Sequence, residues 1–470
     1  MKNIFEKIKQ TAIKIPKKIQ LLILILTVVI IAAIILVVVT TCGRRRTGEI
    51  ITLTYANWNL GHNRDNALEL RMIQSFMDEH PNIRVVIDQH LVSPWTESLT
   101  NAVIHNRLPD VFMVEDISVS VANGWLMDIT SNLVADLDFF DLPRGVQESM
   151  RIGGIMYAIP FAQTIHGYFV NNDLLRTLDI EPTPFGVSAN RLVDAIRAAT
   201  DPNIPSIGTN NVLPFVEWYP SAVNNLLGFF AFDGFGFALN SPEMLEAVRI
   251  ATELYNGGYA FYGIPTDTAA SYFPAGYALG AFRDGQMAFL YGGSWLNDIM
   301  INQMEFDWQF IGVPGGRSIV TLEALGVSSR TNHPEEAYLL ARWMGHGTEG
   351  SLRRLEYARE MGLVPGSLPV SQNREVLESL FEIMPVPGLR EIYESMDTAL
   401  IDGLRVLPGY MQARYTAPTG IDIYGTTHTD VGVDTLIRYS IAGYIYFPDH
   451  SDTAEDVARH QLNIAQDIFR

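Results

Sequence analysis

An α/β fold is the expectation for this chain; one feature points to it, and two more bound its size and its source of stability. Strand-like and helix-like patterns alternate through the first part of the chain that follows an N-terminal apolar run. The length left after that run suits two sizeable lobes rather than one. Cys42 is the single cysteine, so more than 400 following residues use no disulfides and must draw their stability from an apolar core.

The N-terminal segment carries all six lysines of the protein, Lys2, Lys7, Lys9, Lys14, Lys17 and Lys18, followed by the uncharged run Leu21–Val39. A helix of that length spans about 28 Å, close to the thickness of a bilayer core. The lysines outweigh Arg44, Arg45 and Arg46 on the far side and keep the N-terminus inside. Val39-Thr40-Thr41-Cys42-Gly43 resembles a bacterial lipobox, although Thr41 departs from the small residue normally found before the cysteine. Residues 1–46 are therefore expected to be an export signal ending in lipidation of Cys42, or an uncleaved anchor, with its linker. Either way the remainder is held at the extracytoplasmic face of the membrane.

Ile51–Tyr55 alternates as a strand. Ala67, Leu70, Ile73 and Met77 follow at helical spacing, ended by His80-Pro81-Asn82. Ile83–Ile87 is the next strand, a helix runs from about Trp95 to Asn106, and Val111–Val114 is a third strand. This β-α-β-α-β order predicts a parallel sheet, with ligands at the carboxyl ends of its strands, in the loops after Tyr55 and Val114. Ile155–Ile159 and Gly167–Val170 read as two strands joined by Pro160–Thr164. In the aromatic middle section, Ser241 caps a helix that starts at Pro242. Another helix starts at Pro334 and buries Ala337, Leu340, Ala341 and Met344; the last hundred residues read as mainly helical.

Beyond Thr41 the chain holds 27 arginines, no lysine and 51 acidic residues, a net charge of −24. A surface this acidic argues against nucleic acid as a partner and disfavours polyanions. No pair of histidines has metal-binding spacing, and the acidic clusters lack the EF-hand pattern, so no metal or cofactor is expected. No Gly-x-Ser-x-Gly elbow or phosphate-binding Gly-Lys loop is present.

A series of short motifs runs through the chain. Ile51-Thr52-Leu53-Thr54-Tyr55-Ala56-Asn57-Trp58 is followed by Phe76 through His80-Pro81-Asn82-Ile83-Arg84-Val85 and by Leu108-Pro109-Asp110-Val111-Phe112. Then come Tyr157-Ala158-Ile159-Pro160, Tyr168–Leu175, Leu239–Glu243, Phe282–Phe289 through Trp295, and Met361–Pro365. In this order they resemble the extracellular solute-binding proteins of ATP-driven sugar importers, the family 1 group that includes maltose-binding protein. The resemblance implies a two-lobe periplasmic-binding-protein-like fold of type II with a hinged ligand cleft, preceded here by the membrane-spanning or signal helix. Residues 49–163 and 322–362 would form the first lobe; residues 164–321 and 363–470 would form the second. It further implies a monomer without enzymatic activity that takes a neutral carbohydrate, in particular an oligosaccharide, and delivers it to an ABC permease.

A sugar presents apolar C–H faces and a rim of hydroxyls, so its site needs aromatic plates beside carboxylates and amides. Trp295 matches the family's stacking tryptophan, and Gly293 beside it lets a ring approach the backbone. Trp58 and Asn59 lie in the first strand's exit loop; Glu115 or Asp116, after the third strand, is a candidate hydroxyl acceptor, with a helix N-cap the alternative for either. Gln163 and Thr164 occupy the hinge, and Trp218 or Tyr219 is the candidate aromatic of the second lobe. Tyr410, Arg414 and Tyr424 are weaker candidates, and Trp125 and Trp343 read as core. Two alternatives stand beside the sugar receptor. One is the same fold serving a polyamine or a phosphate ester. The other is a glycoside hydrolase with Glu115 and Glu217 facing one another across the cleft.

Overall fold

The computed structural model describes residues 50–61, 63–201, 205–423 and 431–469. Leu21–Val39, Cys42 and Tyr424 lie outside the described residues. Among the described residues no helix is long and apolar enough to cross a membrane.

The opening follows the expected order. β1 (Ile51–Ala56), β2 (Ile83–Ile87) and β3 (Val111–Val114) alternate with helices Asn63–Glu79 and Trp95–Ile104. β1 runs parallel to β3, with Tyr55 opposite Val111. β3 is buried along its whole length, which suits an unbroken apolar run covered on both faces. A hairpin of β4 (Arg151–Ile152) and β5 (Ile155–Met156) precedes the long strand β6 (Ala158–Asn171). β7 (Ile207–Thr209), β8 (Met287–Gly293), β9 (Trp308–Phe310), β10 (Ile319–Val327) and β11 (Leu400–Ile401) complete the strands. The main sheet has the order β2-β1-β3-β10-β6-β8-β7, with β9 on β6 and β11 on β10.

Two expectations are corrected. The sheet is mixed rather than parallel, because β10 lies between β3 and β6 and runs antiparallel to both. Pro160–Thr164 is not a connection between two strands but the middle of β6, a single strand of 14 residues. Proline is tolerated there because the register with β10 shifts between Glu323, opposite Ala162, and Ala324, opposite Pro160. Such irregularities are among the places where a strand tolerates a residue without an N–H.

β6 is long enough to serve three partners. From Ala158 to His166 it pairs with β10, from His166 to Val170 with β8, and from Phe169 to Asn171 with β9. Gln163 faces Leu322 of β10 and also bridges to Leu368, so three separate stretches of chain meet at one point of the sheet. Helix Pro242–Asn256 starts as expected, with the Ser241 hydroxyl accepting the Met244 N–H. Helix Pro334–Met344 buries Ala337, Leu340, Ala341 and Met344, and Trp125 and Trp343 are core residues. Helix Arg374–Ile383 packs against Thr348–Glu360, and Asn373 bonds Asp141, so this stretch, expected in the second lobe, contacts segments expected in the first.

Candidate ligand site

The site is built on the point where β6 and β10 run side by side. Thr164, His166, Thr321 and Glu323 are only partly covered, while Gln163, Ile165, Leu322 and Ala324 between them are buried. Thr321 lies opposite Thr164, and Glu323 opposite Ala162, so the four polar side chains share one face of the sheet. His166 Nε2 stands 3.0 Å from Thr321 Oγ1, which in turn donates to Asp402 Oδ2 at 3.1 Å. Thr321 has one hydroxyl proton and gives it to Asp402. His166 Nε2–H therefore donates to Thr321, and Nδ1 is left as an acceptor.

Burial pushes the His166 imidazole down to about 4. The ring stays neutral at physiological pH and presents a fixed hydrogen-bonding pattern. An imidazole NMR titration is expected to show His166 protonating near pH 4. Because the unfolded chain takes up that proton near pH 6.5 and the native chain does not, native stability falls as pH drops from about 6.5 towards 4. A His166 titration near 6.5 would remove this constraint.

Trp295 stands beside this row. Its ring meets His166 edge to face, with centroids 5.1 Å apart, and it is 52% exposed. A half-exposed indole held by a histidine edge offers a free apolar plate. A Cβ on Gly293 would lie 2.1 Å from that ring, so glycine is what lets the indole lie against the strand. The Ser294 hydroxyl donates to the Gly366 carbonyl and fixes the turn that carries the ring. Gly293→Ala is expected to displace Trp295 and weaken ligand binding at least tenfold, with little change in melting temperature. Unchanged binding would show that the ring position does not matter.

Trp58 flanks the row from β1. It opens the turn Trp58–Gly61 and packs edge to face on Trp95 at 5.3 Å. The Arg405 guanidinium lies 5.0 Å over its ring and donates to the Glu115 carbonyl. Glu323 Oε2 is buried and has no hydrogen-bond partner among the described residues. Burial raises the Glu323 carboxyl, while Arg405 and the Trp58 indole beside it favour the ionised form. A buried carboxyl oxygen without a partner is a costly arrangement that a ligand hydroxyl would relieve.

Two cavities open here. One, of about 800 Å³, is edged by Trp58, Trp95, Asp88, Gln89, Glu115 and Arg405. The other, of about 440 Å³, is edged by Asn59, Phe161, Thr164, Trp295, Asp298 and Arg354. Arg354 is paired with Glu69 and lies over the Phe161 ring. Among the described residues there is no cluster of side chains fit to hold a metal ion.

The structure brings Trp58, Asn59, Glu115, Thr164, Gly293 and Trp295 to this region and places the other candidates elsewhere. Asp116 caps helix Ile117–Ala122, its carboxylate accepting from Val119 N–H. Glu115 edges the larger cavity but already accepts from the Thr96 N–H and hydroxyl. Gln163 is fully buried and donates to the Pro369 carbonyl, tying crossing segments together. Trp218 and Tyr219 are buried, because helix Phe215–Val223 turns that face into the core, where Trp218 donates to the Tyr168 hydroxyl. Tyr410 and Arg414 are likewise buried. Sequence reasoning missed His166, Thr321, Glu323, Asp402 and Arg405. The signal for three of them was a polar residue at every second position of an apolar strand: Thr164 and His166, then Thr321 and Glu323.

Residues 71–378 match the family model described as bacterial extracellular solute-binding protein. No curated protein sequence matches the chain. Three solved structures share its fold over nearly their whole length. An ABC substrate-binding protein from Listeria monocytogenes in complex with cycloalternan is 19% identical, with 88% of this chain and 100% of that chain covered and a TM-score of 0.65. The cyclic alpha-maltosyl-1,6-maltose binding protein from Arthrobacter globiformis is 18% identical, with coverage of 89% and 100% and a TM-score of 0.65. The sugar-binding protein MalE from Xanthomonas citri is 15% identical, with coverage of 89% and 99% and a TM-score of 0.67.

Proposed function

This chain belongs to the bacterial extracellular solute-binding proteins, and from that premise we propose that it captures a neutral carbohydrate and delivers it to an ABC permease. The observation that carries the sugar reading is the row of His166, Thr321 and Glu323, flanked by the indoles of Trp295 and Trp58. Flat apolar plates beside neutral and acidic hydrogen-bonding groups match the C–H faces and hydroxyl rim of a sugar. The solved sugar-binding proteins that share this chain's fold support the same class of ligand.

In this reading residues 49–163 with 322–362, and 164–321 with 363–470, form two lobes that close on the ligand. The meeting of Gln163, Leu322 and Leu368 supports a hinge at that point. The protein works as a monomer tethered through its N-terminal segment, by lipidated Cys42 or by the uncleaved helix. Its role is binding without covalent chemistry. Glu217, a carboxylate a hydrolase would need, is instead paired with Arg414 at 2.7 Å.

A thermal-shift screen against mono- and oligosaccharides, polyamines and glycerol phosphate tests the proposal. A shift of several degrees with one glycan class is the expected result. Silence across the sugars, with a shift for a polyamine or a phosphate ester, would overturn the carbohydrate assignment.

A further inference from the structure

Building on the carbohydrate reading, we infer that Asp402 is a positioning residue of the ligand site: acting through Thr321, it decides which nitrogen of His166 carries the proton, so that the ring offers a sugar hydroxyl an acceptor at Nδ1 rather than a donor. Asp402 follows β11, which pairs with β10. Its two carboxylate oxygens have separate duties. Oδ1 accepts the Leu404 N–H at 3.0 Å, and Oδ2 accepts the Thr321 hydroxyl at 3.1 Å. The Asp402 N–H donates to the Val320 carbonyl at 2.8 Å, so backbone and side chain are both tied down. Burial raises this carboxyl, while the Leu404 N–H, the Arg414 charge, the Thr321 hydroxyl and the Arg405 charge favour its ionised form.

A carboxylate only accepts, and a hydroxyl has one proton. Thr321 gives that proton to Asp402 and turns a lone pair towards His166 Nε2, 3.0 Å away, which must then carry the ring's proton. The imidazole is neutral at physiological pH, so Nδ1 stays unprotonated. This relay ends at the site. His166 lies two residues beyond Thr164 on β6 and shares its face, and Thr321 is opposite Thr164. Thr164 and Trp295 edge the same cavity, and the Trp295 ring meets His166 edge to face. A ring free to take either tautomer would set an N–H against a hydroxyl donor for part of the time, leaving both donors without an acceptor.

The turn that Asp402 shapes also reaches the other indole. Arg405 lies over the Trp58 ring, and its carbonyl accepts the Ile117 N–H at 3.0 Å. Truncating Asp402 would therefore disturb both flanks of the site at once. Asp402→Asn separates the two duties. Its amide oxygen keeps the Leu404 N–H, and its amide N–H faces Thr321 as a donor. Thr321 then gives its proton to His166 Nε2, and the ring's own proton moves to Nδ1. Thr321→Val removes the hydroxyl altogether, and Thr321→Ser restores it.

The test pairs two measurements on the full chain in detergent micelles. Imidazole nitrogen NMR with isotope-labelled histidines, His166 being assigned by its loss in His166→Gln, reads the tautomer directly. Calorimetric titration with malto-oligosaccharides of one to six units and xylo-oligosaccharides of the same lengths reads affinity. The proton is expected on Nε2 in the wild type and in Thr321→Ser, and on Nδ1 in Asp402→Asn. Affinity for the tightest-bound of these sugars is expected to fall at least tenfold in Asp402→Asn and in Thr321→Val, and to return in Thr321→Ser. A wild-type proton on Nδ1, an unchanged tautomer in Asp402→Asn, or wild-type affinity in Thr321→Val would overturn the role of Asp402 and leave the sugar-receptor reading standing. Failure of the wild type to bind either series would overturn both.

Discussion

Trp295→Ala is expected to abolish ligand binding while leaving the fold intact. Truncating a central aromatic anchor typically loses about 2–4 kcal/mol, which is roughly 30- to 1000-fold in affinity. Trp295 fits that description because one side of its indole is held by His166 and the glycine strand while the rest is open. The same exposure makes the residue dispensable for stability: it fills no core volume, so its loss leaves no cavity behind. Melting temperature without ligand should change little, and the ligand-induced shift should vanish. Trp295→Phe keeps a smaller plate and should recover part of the affinity. A folded Trp295→Ala protein that binds at wild-type affinity would place the ligand elsewhere.

The contrast between Trp295 and Trp218 shows what the sequence made legible. Both sit in aromatic stretches, yet one is half exposed at the end of a strand and the other is sealed inside helix Phe215–Val223. Local pattern pointed to the exit loops of β1 and β3, because strand ends follow from nearest neighbours in the chain, whereas Trp295 came from the family resemblance, with Gly293 beside it as the one local sign. Neither found Arg405 or Asp402. These come from a segment after β11 that docks on β10 and on Ile117, a contact between residues nearly 290 positions apart that no local pattern encodes. The mixed sheet escaped for the same reason. The order β-α-β-α-β dictates that β1 and β3 run parallel, but it says nothing about a strand inserted beside them from 200 residues further on.

Arg414→Ala is expected to destabilise the protein by about 3–5 kcal/mol, the largest single effect on stability foreseen here. Arg414 is only 2% exposed. Its guanidinium lies 4.3 Å over the Phe230 ring and 5.0 Å over the Tyr415 ring, and it donates to the Tyr410 hydroxyl. Ion pairs to Glu217 at 2.7 Å and Asp434 at 3.1 Å complete its surroundings. The two carboxylates differ in what remains once the arginine is gone. Asp434 keeps Arg438, whereas Glu217 has no other ion pair among the described residues. Burial already raises the Glu217 carboxyl, and the Arg414 charge opposes that rise. Without Arg414 the Glu217 pKa climbs further above its unfolded value, so the native state favours the protonated acid. The sign then follows: stability is retained at low pH and lost as pH rises through the folded pKa, so the deficit of Arg414→Ala is larger at pH 7 than at pH 5. Adding Glu217→Gln should recover much of the loss at pH 7, because no charge is then left stranded. Denaturant unfolding of the two variants at both pH values checks this. An equal deficit at pH 5 and pH 7, with no recovery on adding Glu217→Gln, would mean that the arginine acts through its aromatic packing alone. In either case the damage lies beneath the ligand site. Trp218, next to Glu217, donates to Tyr168 of β6, the strand that carries His166 to the edge of Trp295.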